Sequence, residues 1–392
     1  MTDAFDKSRL ARLRDAMAGY AAGGHVPGIV TALSRRGEMH VEAHGAARDT
    51  IFRIASMSKP VAAAAAMILV EECKLRLDEP ITRLLPELAD RRVLRSLDAE
   101  VDDTEPARRP ILVRDLMNFT MGFGIPMLPF GTHPIQRATD ALDLNQGPPR
   151  PQAPPAPDEW LRRFATLPLM HQPGEKWMYN TGIDVLGVLI ARASGQKLED
   201  FLRERLFDPL GMKDTGFFVP PQKIGRFTAC HGINFATGED IVYDPADGDW
   251  SRMPAFPSAG GGLVSTIDDF LAFASMMLDG GRHGGTRILS RPSVTTMTTD
   301  QLTPAQKGGG ALLPGYFASH GWGFGVSVAT RRDDPTMTPG QYGWDGGLGS
   351  SWKADPAEEM TGIILTNRAW TSPNPPDVCR DFWTLAYAAI DD

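Results

Sequence analysis

The segments of this chain that pattern as β-strands lie near its two ends, with long helical and irregular stretches between them. Near the start, 28–34 and 39–44 are β-prone runs joined by Arg35-Arg36-Gly37, and the glycine at the joint marks a tight hairpin. Towards the finish, 322–330, 349–354 and 362–367 alternate or run apolar in the same way. A sheet assembled from both ends leaves no unpaired interior edge. The pattern therefore predicts a discontinuous α/β domain, 1–80 with 246–392, holding an antiparallel sheet flanked by helices. A mostly helical domain, 81–245, is expected as an insertion.

Helical periodicity supports this layout. Leu10, Leu13, Met17 and Tyr20 mark an amphipathic helix over 5–22, and Phe382, Leu385 and Ala389 share one face of a final helix over 376–390. A strongly apolar helix is expected from Ser56 to about Cys73. Pro60 sits in its first turn, where a missing N–H costs little. Helices are also predicted over 111–118, 181–194, 198–207 and 265–278, the last followed by Gly280-Gly281. The run QGPPRPQAPPAP at 146–157 cannot form regular structure. Helical segments resume on both sides, so it reads as a surface loop or lid rather than a linker.

Composition excludes several classes. The net charge of −8 leaves no basic footprint for nucleic acid. Three widely spaced cysteines make neither a disulfide framework nor a zinc site and are expected as reduced, mostly buried thiols. The N-terminus is charged where a signal peptide is apolar. The longest apolar run, 60–70, falls short of the ~20 residues that span a bilayer. A cytoplasmic protein with no membrane partner, no metal and no cofactor is the expectation, and no feature of the sequence indicates an oligomeric state. His133, His171 and His320 are expected in structural or surface roles.

One local pattern suggests chemistry. In Ser56-Met57-Ser58-Lys59 the i and i+3 side chains share a helix face, so the Lys59 amine can reach the Ser56 hydroxyl. Serine needs a base to take its proton and donors to hold the resulting oxyanion. Ser-x-x-Lys also arises by chance, where it makes a helix cap and an exposed lysine. Here an apolar stretch precedes it and an alanine-rich helix follows. Tyr179 stands just before a helix, and Tyr342-Gly-Trp344-Asp-Gly346-Gly347 is dense enough in glycine to let backbone approach a ligand. No Gly-x-Ser-x-Gly elbow, Gly-rich phosphate loop or His-Glu-x-x-His appears.

Together Ser56-x-x-Lys59, Tyr179 before Asp184-Val-Leu-Gly187, and Trp344-x-Gly346 resemble the three motifs of the family VIII carboxylesterases. Those enzymes share the fold of class C β-lactamases and D-alanyl-D-alanine carboxypeptidases. Supporting stretches are 51–56 before the serine, 115–122, 260–269 and Trp322-Gly-Phe-Gly325. The resemblance implies a β-lactamase-like fold and a carboxylesterase cleaving short-chain esters through an acyl-serine. In it Ser56 is the nucleophile, and Lys59 and Tyr179 share acid and base work. The amides of Ser56 and Gly347 form the oxyanion hole, and Trp344 and Gly346 bind substrate. Where β-lactamases carry Lys-Thr-Gly on an edge strand this chain has Trp344-Asp345-Gly346, which removes a cation and favours uncharged esters with an apolar portion. Strand alternation turns Asp345 away from Trp344 and Gly346. Thr181 replaces a common asparagine, and the stretch 45–52 is shorter than usual. A β-lactamase, D-amino-acid peptidase or transacylase using the same residues is the enzymatic alternative, and a non-catalytic binding protein the other.

Overall fold

A computed structural model describes residues 4–391 apart from His25, Met127, Leu128, Phe130, Asn145, Gln146, Phe235, Ala236 and 309–313. Gln146, the first residue of the proline-rich run, thus lies outside the described residues. Strands from both ends meet in one seven-stranded antiparallel sheet, in the spatial order 320–322, 327–329, 342–346, 350–355, 360–366, 29–35, 38–44. The joining ladder pairs Ile29–Arg35 with Met360–Thr366 along their full lengths. Both strands are buried on both faces. Val30, Ala32, Ile363 and Leu365 enter one apolar cluster, while Ile29, Leu33, Met360 and Ile364 enter another. On the second side the terminal helices Lys7–Ala22 and Asp377–Ala388 pack together through Leu13, Met17, Phe382 and Trp383. On the first side lies Ile267–Leu278, whose Phe270 and Phe273 pack on Trp352.

The apolar helix after the serine is Ser58–Glu71, and every residue from Ser58 to Leu69 is buried. A helix apolar all round must be surrounded by protein, and its alanines let Thr181–Ser194 lie alongside. The apolar cluster of the sheet's first side continues through these helices into 81–245 without interruption. That segment also carries two short ribbons, 92–94 with 104–106 and 230–233 with 240–244.

Several expected elements differ. The run 322–330 is two strands, His320–Trp322 and Ser327–Ala329, because Gly323-Phe-Gly325 reverses the chain between them, with Gly325 at φ +72°. Strand Tyr342–Gly346 is third in the sheet, not at its edge. Its ladder to Ser327–Ala329 covers only Tyr342 and Gly343, however, so among the described residues Trp344–Gly346 is unpaired on that side. The helix expected over 111–118 is confined to Val113–Met117, and that over 198–207 widens into a π-helical turn from Arg203. All three cysteines are free, with Cys73 exposed. Among the described residues no helix is long and apolar enough to cross a membrane.

Candidate active site

Ser56 does not open the α-helix directly. It sits in a single 3₁₀ turn, Ala55–Met57, after which the α-helix begins at Ser58. Ala55 takes a left-handed backbone, φ +43°, which costs a non-glycine residue about 1 kcal/mol. What holds this turn comes from far along the chain. Phe52–Arg53 pairs with Val264–Ser265, Ile54 N–H donates to the Leu263 carbonyl at 3.0 Å, and Leu263 N–H donates to Ser58 Oγ at 3.1 Å. Arg53, buried, anchors the approach by an ion pair with Asp244 (Nε to Oδ2, 2.9 Å) while its guanidinium lies 4.0 Å over the Phe227 ring.

From that turn Ser56 Oγ meets both expected partners. Lys59 Nζ stands 2.8 Å away and the Tyr179 hydroxyl 2.8 Å away. Lys59 is completely buried and also donates to the Gly260 carbonyl. Burial brings its pKa down to about 7, and the nearby Asp184 carboxylate partly resists the drop. Asp184, half-buried in the same wall, accepts from Ser258 Oγ at 2.8 Å and from Gly260 N–H at 3.0 Å, so it fixes the peptide whose carbonyl holds Lys59. Burial raises the Asp184 carboxyl, and these two hydrogen bonds act against the rise.

Tyr179 is set among aromatic rings, with Phe119 and Trp344 centroids each 5.7 Å away. Burial raises its phenol, opposed by its hydrogen bonds with Ser56 and Trp344. The Trp344 indole Nε1–H donates to the phenol oxygen at 2.9 Å. A cationic residue at 344 would offer a charge here. The indole offers a neutral donor and an apolar ring.

Gly346 lies where only glycine fits: a Cβ there would stand 2.3 Å from the Ile54 carbonyl oxygen. This close approach sets Gly347 beside the serine turn, with open space where its side chain would be. Among the described residues neither Ser56 N–H nor Gly347 N–H has an acceptor. Asp345 faces the other way, accepting from Ser351 Oγ at 2.5 Å, and bonds none of the groups around Ser56.

Ser56, Tyr179, Trp344 and Gly347 open into a cavity of about 360 Å³. The proline-rich loop forms one wall through Pro148, Pro149 and Pro151, with Trp160 and Phe256 beside it. None of His133, His171 or His320 lines it. His133 pairs with Asp98 at 3.0 Å, and His320 stacks on Tyr316. Sequence reasoning assigned no role to Asp184 or to Gly260. Both lie in stretches that carry the family resemblance, and a further local signal was an acidic residue within the apolar run Ile183–Ile190 of the Asp184 helix.

Comparison with known proteins agrees with this architecture. The family model described as Beta-lactamase matches residues 13–385. Protein Rv1367c of Mycobacterium tuberculosis is 41% identical over 323 residues, 81% of this chain and 77% of that protein. Esterase EstB of Burkholderia gladioli is 30% identical over 387 residues, 89% of this chain and 88% of its own. A solved structure described as EstCE1, a hydrolase with promiscuous acyltransferase activity, has a TM-score of 0.76 at 24% identity, covering 97% of this chain and 99% of that one. That last likeness speaks for the fold alone. With a matched model spanning nearly its whole length, the chain belongs to the beta-lactamase family of serine hydrolases and acyltransferases.

Proposed function

We propose that this protein is a carboxylesterase that hydrolyses short-chain carboxylic esters through an acyl-Ser56 intermediate. The observation that carries the ester reading is the Trp344 contact. The strand beside the serine supplies an indole hydrogen-bonded to Tyr179 and no cation for a carboxylate next to the scissile bond. The apolar walls of the cavity and the 30% identity to an esterase support it.

In this reading neutral Lys59 is the resting base, since burial brings its pKa near 7 while burial keeps Tyr179 protonated. Lys59 takes the Ser56 proton as Oγ attacks the ester carbonyl. The oxyanion is held by the N–H groups of Ser56 and Gly347. Collapse breaks the ester C–O bond, and the departing alkoxide takes the Tyr179 proton. The phenolate left behind is stabilised by the Trp344 N–H and the new Lys59 ammonium. Water then attacks the acyl-enzyme, giving its proton to Tyr179, and Ser56 leaves with the proton stored on Lys59. Protons balance over the cycle.

The test is hydrolysis of p-nitrophenyl acetate and butyrate, with labelling of Ser56 by a serine-reactive phosphonate. Loss of both in Ser56→Ala is expected. Undiminished turnover in that variant would sink the reading, and a strong preference for nitrocefin over p-nitrophenyl butyrate would make the protein a β-lactamase instead.

A further inference from the structure

The proline-rich wall carries one charged side chain, in Pro148-Pro149-Arg150-Pro151. Arg150 is exposed and lines the cavity that Ser56 opens into. Among the described residues its guanidinium has neither an ion pair nor a hydrogen bond, and its backbone carbonyl accepts from Ala153 N–H at 3.0 Å. The other charged residues along that cavity are Asp184 and Asp345, the latter with its carboxylate turned to Ser351. Both are half-buried, and both already hold hydrogen bonds, from Ser258 and Ser351 respectively. Lys59 sits beneath the floor, engaged with Ser56 and Gly260.

The backbone that presents Arg150 is restrained. A residue before proline is confined to extended conformations, and Pro151 imposes that here. On one side the Pro149 carbonyl accepts from the Tyr243 hydroxyl at 2.6 Å; on the other, Gln152 Nε2 donates to the Asp249 carbonyl at 2.8 Å. Pro149 also lies against Gly261, where a Cβ would stand 3.1 Å from the proline ring, and Gly261 follows the residue that holds Lys59. The loop is thus seated on the reacting end of the cavity and offers an uncommitted guanidinium from its wall. Such a group matches a carboxylate in shape and charge.

We propose that Arg150 makes this site selective for esters that carry a carboxylate remote from the scissile bond. The inference rests on the esterase reading and adds a substrate class to it. Trp344 excludes a charge beside the reacting carbonyl, while Arg150 accepts one at the far end of the substrate. The ester is then cleaved as described, and the remote carboxylate takes no part in bond making.

The experiment compares kcat/KM for mono-p-nitrophenyl adipate with that for p-nitrophenyl hexanoate, a neutral ester of equal chain length. The wild type, Arg150→Gln and Arg150→Glu are assayed at low and high salt. Wild type is expected to favour the anionic ester. Arg150→Gln cuts that preference about tenfold, chiefly through KM, and Arg150→Glu reverses it. Salt weakens both the wild-type preference and the reversed preference of Arg150→Glu, and leaves Arg150→Gln little changed, as screening of a solvent-accessible charge requires. If wild type and Arg150→Gln show the same ratio while both hydrolyse the hexanoate, this proposal is overturned and the esterase reading stands. If wild type hydrolyses neither ester, both are overturned.

Discussion

Lys59 offers the most quantitative test of the site, because its charge has to be carried where no water reaches it. In the folded protein its pKa stands at about 7 against an ordinary 10.5. At 1.36 kcal/mol per pKa unit, holding the ammonium inside costs about 5 kcal/mol more than holding it in the unfolded chain. Below about pH 7 both states are protonated and the whole penalty applies. Between about 7 and 10.5 only the unfolded chain binds the proton, so stability rises with pH. Above 10.5 the penalty is gone. From pH 6 to pH 9 the relief amounts to roughly 2–3 kcal/mol. Lys59→Met keeps the apolar stem and removes the titration. Urea unfolding of wild type and variant at pH 6, 7.5 and 9 should show the variant's stability advantage shrinking by that amount. Taking the difference cancels other groups, such as His171 and His320, whose pKa values burial also lowers. In parallel, wild-type kcat/KM should rise with an inflection near pH 7 as the free base forms. A gap independent of pH, together with an inflection above pH 9, would refute the assignment of Lys59 as a neutral resting base.

Two other perturbations follow from the contacts. Trp344→Phe keeps an aromatic ring against Tyr179 but deletes the indole donor at 2.9 Å. A hydrogen bond to a developing phenolate is worth about 1.5–3 kcal/mol, so kcat should fall about 10- to 100-fold with little change in Tm, and a loss below twofold would speak against it. Gly346→Ala would press a methyl group onto the Ile54 carbonyl oxygen at 2.3 Å, and backbone cannot swing aside as a side chain does. The strand must withdraw, with a stability loss of about 1–3 kcal/mol and a kcat loss of at least about tenfold as Gly347 leaves its place; unchanged kinetics would show that Gly347 is not needed there.

Much of this was legible in the residues because it is local. The Ser56–Lys59 contact follows from i, i+3 geometry and survives even though the turn at Ser56 is 3₁₀ rather than α. Helix Thr181–Ser194 and the hairpin at Arg36-Gly37 follow from periodicity and from a turn that needs positive φ at both positions. The reversal at Gly323–Gly325 was missed because an apolar run shows no period that separates one strand from two.

What tertiary structure alone decided is the electrostatics and the walls. Whether Lys59 can act as a base depends on its complete burial, on Asp184, and on a carbonyl contributed by Gly260, 201 positions further along the chain. The unpaired half of strand Tyr342–Gly346 follows from ladder length, and the place of Arg150 in the cavity wall follows from Tyr243 and the 249–252 segment holding the loop. By itself the sequence specified which groups were available and which neighbours they meet within a turn. Desolvation and long-range hydrogen bonding are properties of the assembled interior, so the protonation states and the shape of the pocket came only with the fold.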